Sequence, residues 1–314
     1  MTRFAKYTWG VLIYNVAVII WGTYVRATGS GAACGAHWPL CNGEVIPLAP
    51  QTATLVEYSH RLMSGVALIA VIVLTVWAFR AYPQKHLARV GATLSLIFII
   101  SEALVGAGLV LFKLAGDNTS ITRAFTTSIH LINTFLLLAT LTLTAWWASG
   151  GRALYIRSDR KSWLFIIGFV GMLVLGTSGA IAALGDALFP SQTFAAGFAA
   201  DLDPTSHLFL RLRIFHPFIA IAVGLYLMIL SASFGFAHTR AKRFAATLIA
   251  IIAVQWIVGV VNVVLLAPAW MQMLHLLITD ALWITFILMM ATLFGDAATV
   301  VETLVASPLP LPAK

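Results

Sequence analysis

Four histidines carry the first chemical signal in this sequence. They stand in Glu57-Tyr-Ser-His60-Arg61, His130-Leu-Ile-Asn, Arg213-Ile-Phe-His216-Pro217 and His275-Leu-Leu-Ile, each near the start of a long apolar run. An imidazole inside such a run is costly to bury and by default marks function. One of them could be a hydrogen-bonded core residue. Four at one level, two in each half of the chain, point instead to ligation. Zinc would need further Cys, His or carboxylate ligands in each half, and copper would favour additional soft or imidazole donors. Two imidazoles on opposed helices are the axial set of a haem, whose flat apolar ring fits between four helices. We therefore read two iron-haem sites, His60 with His130 and His216 with His275. The remaining histidines, His37 and His207 in long loops and His86 and His238 beside Lys and Arg, read as loop residues.

Charged neighbours separate the two sites. Three residues before the first histidine of each pair stands Glu57 in one half and Arg213 in the other. That offset places the side chain on the histidine's face, one turn away. An Arg there suits the propionates of a retained haem, and Arg61, Arg123 and Arg211 are further candidates for them. A carboxylate holds an anionic haem edge poorly but can serve as a base or stabilise a cation, or simply favour a helix N-terminus. Glu102, matched by Gln255, is a second acid confined to the first half, as catalytic support or as a structural hydrogen-bonding group; Asp280 has no acidic counterpart.

Cys34 and Cys41 are the two cysteines, in Cys34-Gly-Ala-His-Trp-Pro-Leu-Cys41. On an oxidising face a disulfide is the default, with a redox-active pair as the sharper alternative.

The elements that must position these groups follow from composition. Of 314 residues, 61% are hydrophobic and 10% charged, which excludes a soluble globular domain, a disordered chain and a disulfide-stapled mini-protein. An all-α integral membrane protein remains, with eight spans expected at 8–26, 58–79, 90–112, 122–147, 162–184, 211–235, 244–266 and 271–294. The first reads as a retained helix rather than a signal peptide, and no mitochondrial targeting extension is read. The net charge of +8 is topological and implies no nucleic-acid partner. With both termini cytoplasmic, 13 of the 19 basic residues, Lys314 among them, fall on the inner side. The spacing of Gly22-Thr23 with Gly176-Thr177, His60 with His216, Glu102 with Gln255 and His130 with His275 is nearly constant. Even span numbers per unit then predict two parallel-repeat four-helix bundles, 1–150 and 151–295, with a tail at 296–314. The haem sites would lie toward the outer face.

The run Gly22-Thr-Tyr-Val-Arg26-Ala-Thr-Gly29-Ser-Gly31, the Cys-bearing loop, Glu57-Tyr-Ser-His60-Arg61 and the three further histidines resemble the haem A synthase (CtaA) family from span 1 through span 8. The resemblance implies an oxidoreductase of the prokaryotic cytoplasmic membrane that converts the C8 methyl of haem O to a formyl group, giving haem A for terminal oxidases. It implies that His60 and His130 hold the substrate haem, that Glu57 acts at its reacting edge, and that His216 and His275 hold a resident haem b that relays electrons. It also implies membrane lipid, haem O synthase and oxidase assembly factors as partners, with a homo-oligomer as one possible state. Some relatives carry a second cysteine pair in the later outer loop; residues 185–210 have none. A two-haem quinol cytochrome b and a haem exporter or chaperone share the four histidines and stay open as alternatives.

Overall fold

In lipid a backbone can satisfy its polar groups only within a helix or a closed barrel, and the apolar runs here form helices. The computed structural model describes the backbone of residues 1–306 and the side chains of residues 1–295. Its helices are α1 Arg3–Ala27, α2 Thr52–Ala81, α3 Leu87–Leu111, α4 Ile121–Ala148, α5 Arg160–Leu188, α6 Phe194–Leu202, α7 Leu208–Arg213, α8 Phe215–Leu230, α9 Lys242–Val264 and α10 Ala269–Ala306. Taking α7 and α8 as one span, eight are long and apolar enough to cross a membrane. Among the described residues there is no β-strand, only an isolated bridge between Cys41 and Glu44.

Short polar side chains start several of these helices by accepting a free amide three residues on: Thr2 from Ala5, Ser120 from Arg123, Asp159 from Ser162 and Thr193 from Ala196. Hydrogen bonds from Ser162 also hold the Asp159 carboxyl below the usual carboxylate range. His86 and His207 do the same work at α3 and α7, accepting from Ala88 and Phe209.

Four features depart from the sequence reading. Helix α2 begins at Thr52, not near 58, so the imidazoles sit deeper than expected. His60, His130, His216 and His275 follow the first residue of their spans by 8, 9, 8 and 6 residues, roughly 9–14 Å of helix rise. The sixth span breaks at Ile214, because Pro217 lacks an N–H and its ring crowds the carbonyl of Arg213. The long segment 185–210 contains helix α6. At the C-terminal end α10 continues to Ala306, beyond the expected start of the tail; the rest of that tail, with Lys314, lies outside the described residues.

Helices α4 and α10 occupy the centre. In each, 56% of the most apolar stretch is buried, against 17% in α3, α5 and α9. Helix α4 packs on α1, α3, α5 and α10, and α10 packs on α1, α4 and α9. Between α4 and α10, Phe135 stacks on Trp283, whose indole N–H donates to the Phe135 carbonyl at 2.8 Å. Outward positions such as Ile69, Leu104, Phe218 and Ile257 stay exposed and apolar, the surface a lipid solvent needs.

Candidate functional site

Each of the four imidazoles lies against a glycine of the preceding long helix. A Cβ at Gly22 would stand 3.0 Å from Cε1 of His60, one at Gly179 3.0 Å from Cε1 of His216, one at Gly259 3.4 Å from His275 and one at Gly106 3.8 Å from His130. Sequence spacing pairs Gly22 with Gly176. The structure corrects this: Gly176 faces Phe135 and Leu131 of α4, and Gly179 is the residue beneath the imidazole. The rings of His216 and His275 have centroids 6.4 Å apart, at 73° to one another. That separation leaves room for one metal ion bonded to both rings, given metal–imidazole bonds of about 2 Å. Among the described residues no group of three or more His, Cys, Asp or Glu is placed to hold a metal ion. Paired imidazoles suit a haem, whose porphyrin supplies the other four ligands and needs only two from the protein. The Nδ1 atoms of His60, His130 and His275 are buried without a hydrogen-bond partner, while Nδ1 of His216 lies 2.9 Å from Ser178 Oγ. The His216–His275 pair therefore fits a bis-histidine haem, and His60 and His130, both with a buried and unpartnered Nδ1, offer the same donor set.

Glu57 is 4% exposed and belongs to the disulfide loop as much as to α2. One carboxylate oxygen accepts the Cys34 amide at 2.8 Å, and the other pairs with Arg61. Arg61 in turn donates to the carbonyls of His37 and Leu40. Cys34 and Cys41 are joined in a disulfide, and both are fully buried. Gly35, inside that loop, has φ +63°, where a side chain would be strained and would also press on Asn42.

Glu102 and Gln255 hold corresponding places beside the second histidine of each pair. Glu102 accepts from Asn133 Nδ2 at 2.6 Å and from the Thr134 hydroxyl, and its Oε1 lies 3.3 Å from His130 Nδ1, outside hydrogen-bond alignment. Gln255 donates to the His275 carbonyl at 3.0 Å and to Thr279 Oγ1 at 2.6 Å. Thr134 and Thr279 each sit four residues after their histidine, with the hydroxyl oxygen 2.9 Å from its carbonyl; Thr279 donates there, while the single Thr134 proton is shared with Glu102.

The profile of the COX15-CtaA family, described as cytochrome oxidase assembly protein, matches residues 5–287. This chain belongs to the COX15-CtaA family. A Thermus thermophilus protein named "Protoheme IX farnesyltransferase" is 48% identical over 306 residues, covering 96% of this chain and 50% of its own length. "Heme A synthase" of Halalkalibacterium halodurans is 47% identical over 97 residues, 31% of this chain and 33% of the relative. That of Alkalihalophilus pseudofirmus is 45% identical over 103 residues, 33% of each. The chain thus spans about half the length of the Thermus relative, and its matches to the two synthases cover about a third of either chain.

Three of the arginines offered as propionate or support residues have protein partners in this COX15-CtaA chain. Arg213, expected at a propionate, is filled by two carboxylates: Nη1 donates to Asp186 and Nη2 to Asp201, each at 2.6 Å, with Nε on Asp201 at 3.0 Å. It thereby fastens α6 to α5 and α7. Arg123 is buried and donates to the carbonyls of Gly116 and Asn118, closing the α3–α4 loop. Arg61 is committed to Glu57 and the disulfide loop, and Arg211 is exposed. Arg26 reaches from α1 to Gln272 of α10 at 3.2 Å, and its Nη1 is buried without a partner. Asp280 is fully buried with neither oxygen hydrogen-bonded. Sequence reasoning missed Gly179, Ser178, Thr134, Thr279, Asp186 and Asp201. A threonine four residues after the second histidine of both pairs was the signal available for two of them.

Proposed function

We propose that this protein is a haem A synthase that oxidises the C8 methyl of haem O to a formyl group, with the chain built as two parallel-repeat four-helix bundles whose haem sites face the outer side of a prokaryotic cytoplasmic membrane. The observation that carries this reading is two glycine-backed histidine pairs in a COX15-CtaA chain, one of which has a carboxylate, Glu102, 3.3 Å from an imidazole. His60 and His130 hold the substrate haem, and His216 and His275 hold a resident haem b. That haem supplies one-electron redox chemistry when bound.

The chain's own residues then divide the work. The glycines let the helices approach closely enough for each imidazole to stand upright against its neighbour. Ser178 fixes the ring orientation of His216 through Nδ1. Glu57, three residues before His60, stabilises positive charge or accepts a proton as the methyl carbon is oxidised, first to the hydroxymethyl with an oxygen atom from water and then to the formyl level, each step releasing two electrons and two protons, with the electrons passed to an external acceptor. Its bonds to Cys34 and Arg61 hold the carboxylate in place and put the disulfide directly behind it. The disulfide closes the loop, and reduction and reoxidation of the pair would pass electrons to a partner. The name of the Thermus relative supports an upstream partner, since a farnesyltransferase acting on protohaem IX yields the farnesylated haem this site would take. Oxidase assembly factors would receive the product.

Expression beside a haem O source, followed by extraction of the pigments and mass spectrometry, tests the reading. Haem A or its hydroxylated precursor is the expected result. Haem b alone, or haem O returned unaltered, would overturn it in favour of an electron-transfer cytochrome or a haem carrier.

A further inference from the structure

The two second histidines, His130 and His275, have unlike neighbours, and the contrast reaches further than the function proposed above, on whose haem ligands it rests. We propose that Glu102 is a positioning residue that strengthens His130 as an axial ligand and lowers the reduction potential of the iron held there, whereas Gln255 leaves His275 without that push.

Glu102 is anchored so that it must stay beside the ring. Asn133 Nδ2 donates to its Oε2, and Asn133 is itself fixed by the Phe98 carbonyl at 2.8 Å and by Ser101 Oγ at 2.6 Å. Thr134 donates to Oε1, the same oxygen that lies 3.3 Å from His130 Nδ1. A small rotation of the imidazole completes that hydrogen bond. When Nε2 of a histidine binds iron, Nδ1 carries the proton and becomes the donor. A carboxylate receiving that proton raises the basicity of the ligating nitrogen, and second-sphere hydrogen bonding of this kind is a recognised lever on haem potential. A stronger donor favours the ferric state.

The other half offers only an amide. Gln255 uses its Nε2 on the His275 carbonyl and Thr279, and its Oε1 is buried without a partner, as is His275 Nδ1. Even where that oxygen receives the Nδ1 proton, a neutral amide draws on it less than a carboxylate does. The first iron therefore has the lower potential and the second the higher, the order that favours electron flow from the substrate site toward the resident haem.

The test is a redox titration of the purified, haem-loaded protein, followed by optical and electron paramagnetic resonance spectra. Glu102→Gln is expected to move the first-site midpoint positive by about a tenfold change in the ferric-to-ferrous balance, about 59 mV for a one-electron couple. Gln255→Glu is expected to move the second-site midpoint in the opposite direction. Midpoints and spectra unchanged in both variants, with haem bound at both sites, would overturn the proposal while leaving the ligand assignment intact. His130→Ala separates the two levels. Loss of the first-site signal supports the ligand set, and a full haem complement with an unchanged spectrum would overturn both.

Discussion

One turn before the first histidine, the two halves of the chain place opposite charges, and both charges tie down the loop that follows the first helix of their half. Glu57 holds the disulfide loop through the Cys34 amide and Arg61. Arg213 holds helix α6 through Asp201 and the end of α5 through Asp186. The task is shared, but the material differs: a covalently closed loop in one half, a salt-bridged helix in the other. A buried charge needs compensation wherever it stands. The difference shows that the compensating partner, more than the sign itself, decides what is brought to the histidine pair. In the first half that partner is Arg61, with a backbone amide of the disulfide loop. In the second it is a pair of carboxylates with no redox chemistry of their own.

The largest way to break this contrast is to remove the histidines. His216→Ala or His275→Ala should cost the purified protein more than about tenfold of its retained low-spin haem, read from the absorbance spectrum, since each removes an axial ligand. His60→Ala or His130→Ala should leave that haem in place and abolish the product. Equal losses from all four variants would erase the distinction between a retaining and a processing half.

Glu57→Gln comes next. It should leave resident haem intact and reduce haem A formation by about 100-fold or more, in the range typical of losing a general acid or base.

Arg213→Met leaves Asp186 and Asp201 facing each other unpaired. We expect a loss of about 1–3 kcal/mol, the cost of a polar group left unsatisfied in a largely buried site, seen as a lower melting temperature in detergent with haem ligation retained. A change in the haem spectrum without a change in stability would return Arg213 to the propionate edge.

The glycines give the finest gradation. Gly179→Ala should weaken retention of the resident haem, and Gly22→Ala binding of the substrate haem, each by about 1 kcal/mol through overpacking against Cε1, with Gly259→Ala weaker at the first and Gly106→Ala nearly silent at the second, following the distances of 3.0, 3.0, 3.4 and 3.8 Å. A uniform response across the four would show that the close approach is not what matters.

Much of this was legible in the sequence because it rests on periodicity and burial cost. Eight apolar runs become the eight candidate spans, and the four intramembrane imidazoles stand out against so few polar residues. The Glu102–Gln255 correspondence also emerges with matching partners, Thr134 and Thr279. Other features depend on contacts between elements distant in the chain. Asp186 and Asp201 meet Arg213 across 27 and 12 residues, which no local pattern announces. Spacing matches Gly176-Thr177 to Gly22-Thr23, because a Gly-Thr dipeptide is visible in sequence, whereas the ring beside Gly179 is not. The depth of the histidines was misjudged for a related reason: helix α2 extends outward through polar residues such as Thr52 and Thr54 that hydropathy places outside the span.

The central claim is that one half transforms what it binds while the other retains it. Mass spectrometry of haems extracted from wild-type protein and from Glu57→Gln, both expressed beside a haem O source, tests this most directly. The expected result is haem b with haem A or its hydroxylated precursor from the wild type, and haem b with unaltered haem O from the variant. Haem A at wild-type yield from Glu57→Gln, or only haem b from both, would contradict it.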